Sequence, residues 1–450
     1  MLRSRSVGGF QSAGLIAAFV LALVCGCRSS RPSFHDARLA FAAGDLESAG
    51  ETLDALSEGR RATRNVAQLD LAMVDLARGD AAGAEARLRS LRDHFDSVGE
   101  GPSIDDAASL ALDDTVREFT LSGYEKVLLR SMLAITSLAG DGLDAEAYCL
   151  QARSTQRELA RLAESKSASN AEFQPIALAP YLHGTLREAT HQDYDDAERA
   201  FRLVSSIRPE FLPGAADIAR AETGNHSPSG HGVVYVISCV GRGPELVETV
   251  AETTTASLQI ASTLLRAVRN HENEEGDEPV LPNIASVKVP TVHVPPSSIA
   301  AIGVSVNGQL LGATQTLTDL GELATRRSES QLPWTIGRAV ARRVLKEASV
   351  SATSNALGLT GNAASVFEFA SVNAWSATEH ADTRCWSLLP REIQVLRAEL
   401  PAGQHQLTLS PLAGSGEVFA APSVSTVQVV DGQNQYVIVI APENIVSVID

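Results

Sequence analysis

The sequence is short of aromatic residues, which fill only 5% of its 450 positions and include 3 Trp. Its cores must therefore be built mainly from Ala, Leu, Val and Ile. With 44% hydrophobic residues there is enough for two or three domains. Cysteine is scarce as well. The five cysteines include no C-x-x-C pair, which excludes a disulfide scaffold and a structural zinc site. Positive charge is outweighed, with 37 Lys and Arg against 54 Asp and Glu, a formal net charge of −17. So acidic a body repels phosphate backbones and anionic headgroups, and nucleic-acid binding is not expected. The patterns G-x-S-x-G, H-E-x-x-H and G-K-[ST] are all absent. Nothing marks a nucleophile elbow, a zinc protease or a phosphate loop. No catalytic residue, metal ligand or cofactor is assigned.

What is present begins with an export signal. Arg3 and Arg5 give a basic start, and residues 13–25 form an apolar core too short to span a bilayer comfortably. It ends in Val24-Cys25-Gly26-Cys27, which resembles the lipobox cleaved in bacterial lipoproteins. By that resemblance residues 1–26 leave and Cys27 becomes a lipidated, palmitate-bearing N-terminus. The alternatives are an ordinary secretory signal or an uncleaved anchor. Losing Arg3 and Arg5 takes the net charge from −17 to −19. Position 28 is Arg rather than Asp, which under the enterobacterial sorting rule favours the outer membrane. The expected address is the bacterial cell envelope, lipid-anchored at the outer membrane and facing the periplasm. Cys149, Cys239 and Cys385 remain, an odd number that allows one disulfide at most.

Residues 27–222 read as a degenerate helical array. Gly44-Asp45, Gly79-Asp80, Gly140-Asp141 and Asp193 each precede an alanine that lies four residues after the Asp: Ala49, Ala84, Ala145 and Ala197. A Gly-Asp turn ends one helix and caps the next, and the small alanine lets the pair approach. The first two turns are 35 residues apart, near the tetratricopeptide repeat length, and the later intervals are longer. Leu121, Tyr124, Leu128, Ile135 and Leu138 keep helical spacing and predict one buried stripe.

Beyond a Gly/Ser/Pro/His linker at 223–232, the texture changes. Residues 233–240 are a continuous β-branched run that predicts a buried strand. Residues 245–270 suggest an amphipathic helix weakened at Thr253–Thr255, followed by an acidic loop at 272–278 and a Pro-punctuated stretch at 279–296. Asn307-Gly308 between 299–306 and 309–317 predicts a hairpin. A helix is expected over 333–348, with Pro333 in its first turn. Strands are expected at 393–400, 404–409, 424–430 and 436–440. The fold class is thus α+β: a tetratricopeptide-like array (27–222), a linker (223–232), an α+β domain (233–390) and a small antiparallel β unit (391–450).

Several phrases in order resemble a family of bacterial envelope lipoproteins with a tetratricopeptide-like N-terminal half and a distinctive C-terminal half. They are residues 123–129 (GYEKVLL), 178–181 (LAPY) with 194–197 (YDDA), the strand 233–240, 338–342 (RAVAR), and 382–386 (DTRCW) with Leu389-Pro390. The resemblance runs from about Phe34 to Leu409, is weakest over 245–296, and implies no catalytic residues.

Five constellations invite chemistry. Gly241-Arg242-Gly243 after a strand has the layout of a phosphate turn, but Leu246 replaces the third glycine and Pro244 removes an amide, so a tight turn is expected. His226 and His231 read as a solvated loop without a third ligand, and the 272–278 run lacks the periodicity of a calcium loop. His380, Asp382 and Cys385 lie close in sequence; a thiol nucleophile needs a base in contact, and a packing corner around Trp386 is simpler. On the 333–348 helix, Ile336, Val340 and Val344 form an apolar line. Arg338, Arg342 and Lys346, joined by Arg343, form a basic line that is anomalous in so acidic a chain. These four are the candidate partner-binding residues, facing an acidic partner, an anionic glycan or the acidic helical half; the bland alternative is a solvated face. The expected function is a non-enzymatic envelope scaffold holding a protein partner. The alternative is a cell-wall enzyme, or an activator of one, with its site in the C-terminal half.

Overall fold

The Gly-Asp turns do build a helical N-terminal region. In the computed structural model, which describes residues 32–59, 61–98, 118–121, 123–165, 175–272, 284–356 and 380–450, Gly44 and Gly79 are left-handed at φ 82° and 81°. Asp45 accepts from the Ser48 amide at 3.0 Å and Asp80 from Gly83 at 2.9 Å, capping the helices that follow. The first turn separates α1 (Phe34–Ala42) from α2 (Leu46–Glu58), and the second separates α3 (Arg61–Ala77) from α4 (Ala81–Val98). The third turn differs in register. The left-handed residue is Gly142 (φ 72°), not Gly140, and it joins α5 (Gly123–Leu138) to α6 (Ala145–Ser165). At the fourth, between α7 (Leu178–Glu188) and α8 (Tyr194–Ile207), His191 takes the positive φ; α9 (Gly214–Glu222) closes the series. Ala49, Ala84, Ala145 and Ala197 are all fully buried.

Cross-helix bonds fix directions. Thr63 donates to the Leu56 carbonyl at 3.2 Å and Arg78 to the Leu46 carbonyl at 2.7 Å, so α2 and α3 run antiparallel. Arg89 reaches Tyr148 and Arg92 reaches Gln151, each across 59 residues, so α4 and α6 run parallel.

The remainder is layered β structure. β1 (His231–Arg242) lies at the centre of a five-stranded sheet, between β10 (Asn434–Ala441, parallel) and β7 (Pro390–Pro401, antiparallel), with β11 (Ser447–Ile449) and β6 (Gln315–Asp319) at the edges. A second sheet has the order β5 (Gln309–Ala313), β4 (Ala301–Val306), β8 (Gly403–Leu412), β9 (Ser423–Val429). Val233, Tyr235, Ile237 and Cys239 join the core of the helices, whereas Val234, Val236 and Val240 pack with the second sheet. That two-sided burial is why the β1 run carries no polar alternation. The predicted 391–450 unit does not stand apart: β7 and β10 flank β1, while β8 and β9 sit in the other sheet.

Two elements correct the sequence expectations. The stretch expected to be a single helix over 245–270 is a strand and a helix, β2 (Glu245–Glu252) and α10 (Thr255–Glu272). The boundary is a reciprocal cap, with the Ser257 amide donating to Thr254 Oγ1 at 3.2 Å and the Thr254 amide to Ser257 Oγ at 2.9 Å. β2 pairs with β3 (Ser286–His293). The helix expected to start at Pro333 is α11 (Leu320–Ala356), which begins where Asp319 accepts from the Glu322 amide at 2.8 Å and runs through Pro333. A third core, including Leu264, Val268, Val289, Ile336 and Val340, holds α10, α11 and the β2–β3 pair together. The hairpin turn is as expected, with Asn307 and Gly308 at φ 50° and 82°. The strand after it is split at Thr314, where the chain leaves one sheet for the other.

Among the described residues no helix is long and apolar enough to cross a membrane. Cys27, the expected signal at 1–26, and all of the acidic run at 272–278 except its first residue lie outside the described residues.

Candidate functional site

α11 presents one stripe at helical spacing, Arg327, Gln331, Thr335, Arg338 and Arg342, along a cleft of about 700 Å³. Opposite stand Tyr124 at the start of α5, Leu246 of β2, Val289 and Val292 of β3, and residues 380–389. The cleft therefore lies where the helical region, the β2–β3 pair and α11 meet. The Arg327 guanidinium sits 5.6 Å from the Tyr124 ring centroid, within cation–π range. Arg384 holds the far wall in place: it donates to both oxygens of Asp382 at 2.8 and 2.7 Å and to the Ala62 carbonyl of α3 at 2.5 Å. Trp386, only 1% exposed, plugs the floor as the packing corner expected.

The four basic residues predicted on this helix are divided. Arg338 is half-buried and Arg342 is buried, and both line the cleft. Arg343 and Lys346 are half-buried elsewhere, Arg343 pairing with Glu347 at 3.0 Å. None of the four is a fully solvated side chain. Val344, expected in the buried line, is half-buried, whereas Ile336 and Val340 are buried.

The carboxylates on the walls are mostly engaged from outside the cleft or locally. Glu118 accepts from Asn65 at 3.1 Å and pairs with Arg61, Glu245 pairs with Arg38 and with His293 at 3.0 Å, and Asp382 is taken by Arg384. Glu125, at the start of α5, is the fourth acid of the lining and is not without a partner either. Arg327, Arg338 and Arg342 share the lining with these four carboxylates, and neither Arg338 nor Arg342 is without a partner.

Comparison with protein-family models, curated proteins and solved structures finds no match. The function must come from the geometry.

That geometry removes the Cys–His reading. Burial pushes the Cys385 thiol up to about 12, so it stays protonated at neutral pH, and His380 is exposed and pairs instead with Glu248 at 3.5 Å. Gly241-Arg242-Gly243 is a packing turn. A Cβ on Gly243 would fall 2.2 Å from the Leu389 carbonyl oxygen, and the segment leads into a strand, so no helix N-terminus is offered to a phosphate. His226, expected in a solvated loop, is buried; it bonds Asn434 Oδ1 at 2.8 Å and its carbonyl accepts from Arg397. The described residues hold no cluster of three or more His, Cys, Asp or Glu suited to a metal.

Sequence reasoning missed Arg327, Gln331 and Trp334, all on the exposed or cleft side of α11. The signal was helical spacing continued backwards from Arg338 in steps of three and four residues, hidden because Pro333 suggests a helix start. Tyr124 and Arg384 carry no comparable signal, since only the fold brings them to α11.

Proposed function

We propose that this chain is a lipid-anchored envelope protein, attached to the membrane through Cys27, that acts as a non-enzymatic scaffold and seats a protein partner in the α11 cleft. The observation that carries this reading is the cleft itself, of about 700 Å³, where Arg327, Trp334, Arg338 and Arg342 of α11 share the lining with Leu246, Val289 and Val292 of the β2–β3 pair. The helical region would serve as a tetratricopeptide-like frame. Support comes from the antiparallel α2–α3 pair, the parallel α4 and α6, and the buried alanines at each turn. Activation of a cell-wall enzyme by the same surface is the second reading, favoured by a polar cleft converging beside Arg384 in the C-terminal half.

The test places a photo-crosslinking residue at Trp334, at the cleft, and at Leu143, 82% exposed on a helical turn, in cells carrying the full chain. A discrete crosslinked species is expected from position 334, absent from 143, and recovered with membranes only while Cys27 is intact. Equal crosslinking from both positions, or soluble recovery of the Cys27 chain, would overturn the reading.

A further inference from the structure

The strands at the ends of the sheets differ in one respect: all but one carry features that stop another strand from adding on. β5 and β6 are short, and the pairing beside each is broken by a register shift, at Val304/Ser305 and at Thr316/Thr318. β11 spans only Ser447–Ile449. β2 and β3 carry Glu245, Glu248, Glu252, Lys288 and Pro290. β9 has none of these guards. Its pairing with β8 runs without a break from Ser423 to Val429, and among the described residues no strand lies on its other side. Residues 418–430 hold no charged side chain, and Pro422 stands before the strand begins. Val427 and Val429 pack into the core between the sheets, so alternation turns Val424, Thr426 and Gln428 outward. Val424 and Val430 are 57% and 45% exposed.

We propose that the open edge of β9 pairs with β9 of a second copy of this chain, antiparallel, about a two-fold axis through Val427. Two four-stranded sheets then become one. In that register Val424 stands opposite Val430 of the second copy, and Thr426 opposite Gln428 of the second copy. Apolar meets apolar, polar meets polar, and the match repeats across the axis. Centring the axis on Thr426 sets Val424 against a glutamine, and centring it on Gln428 sets Val430 against a threonine. Charge points to the same occupant. Two bodies of net charge −17 repel each other, and they can share an edge only where neither brings charge to it. Glu417, Asp431 and Asp450 border the strand, and each is bonded within its own chain. They accept from the Ser415 hydroxyl at 3.4 Å, the Gly230 amide at 2.9 Å and the Ser425 hydroxyl. A partner selected by charge would find nothing to read here. The two-fold also consumes both open edges, so assembly closes at two.

The experiment measures the mass of the full chain by sedimentation in density-matched detergent, with micelles in large excess so that anchors do not share one. A dimer is expected, and it should tighten as salt rises, because screening removes the repulsion between acidic bodies. Thr426→Lys restores the missing edge charge and should weaken the dimer roughly tenfold or more at unchanged melting temperature. Leu310→Lys, at a position 69% exposed on β5, should leave it intact. Should Thr426→Lys fold poorly, the double variant Thr426→Cys with Gln428→Cys decides under mild oxidation. Those two positions face each other across the axis, so a covalent dimer is expected, with none from Leu310→Cys. A monomeric wild type, a dimer that ignores Thr426→Lys, or a monomer that takes an unrelated extended peptide at β9 instead overturns the proposal.

Discussion

Asp70 lies on α3, is fully buried, and accepts hydrogen bonds from residues more than 300 positions later: the Ser387 hydroxyl at 2.6 Å and the Leu388 amide at 2.9 Å. Burial outweighs these donors and the more distant Arg38, and lifts its carboxyl to about 7. The unfolded chain releases this proton near pH 4, whereas the folded chain keeps it until about pH 7. The native state therefore binds more protons across that window, and this residue makes stability fall as pH rises from about 4 to about 7. Asp70→Asn should flatten that dependence while retaining an acceptor for Leu388, as read by chemical denaturation at pH 5 and pH 8. An unchanged slope would mean that the carboxyl titrates at its ordinary value. Asp70→Ala, which leaves the buried Leu388 amide unpaired, should cost about 1–3 kcal/mol at either pH.

At the scale of elements, the cleft depends on how closely α10 and α11 approach. Gly337 makes that contact possible: a Cβ there would lie 2.7 Å from Ile260 Cγ2 and 2.8 Å from the Ser257 carbonyl oxygen. Gly337→Ala should push the helices apart at a cost of about 1–3 kcal/mol, visible as a lowered denaturation midpoint, and should weaken partner binding because Arg338 is the next residue along. Normal stability would show that α10 yields freely at this point. The helix contact was not legible in the sequence, because α10 was concealed inside an apparently single helix. Its strand neighbour reads Glu-Leu-Val-Glu-Thr-Val-Ala-Glu, only loosely alternating, and the Thr253–Thr255 weakness was in fact the junction. Elements with local chemical causes were legible: β1 from its unbroken β-branched run, the hairpin from the left-handed demand at Asn307-Gly308, and α2 and α4 from their Asp caps. Half the candidate site was legible for the same reason. Arg338 and Arg342 declare themselves by spacing on one helix, but the walls opposite come from residues separated by hundreds of positions.

Across the whole molecule, the helical region and the first sheet share a continuous core, and a buried polar network stitches them together. Glu188 of α7 accepts from Arg220 of α9 at 2.5 and 3.0 Å and from the Tyr235 hydroxyl of β1 at 3.4 Å. Thr185 meets the Tyr436 hydroxyl at 3.1 Å, and Asn434 donates to the Thr185 carbonyl at 3.0 Å. No separately melting C-terminal unit is expected. Deleting residues 434–450, which removes β10 and β11, should strip one edge of β1 and abolish cooperative unfolding and protease resistance of the helices as well. A truncated chain whose helices still melt cooperatively would show the array to be independent.

The parallel pairing of β1 with β10 also sets a timetable. Val233 has to wait for Asn434, so the central strand emerges from the ribosome long before its neighbour exists. In the folded molecule the Tyr181 ring meets Phe201, Phe211 and Tyr235, and Tyr235 sits on a strand whose sheet is complete only once β10 has paired. Until β10 docks, the chain must carry an apolar surface that only this distant segment can cover, a situation that favours slow, late folding and a need for chaperone shelter up to that point.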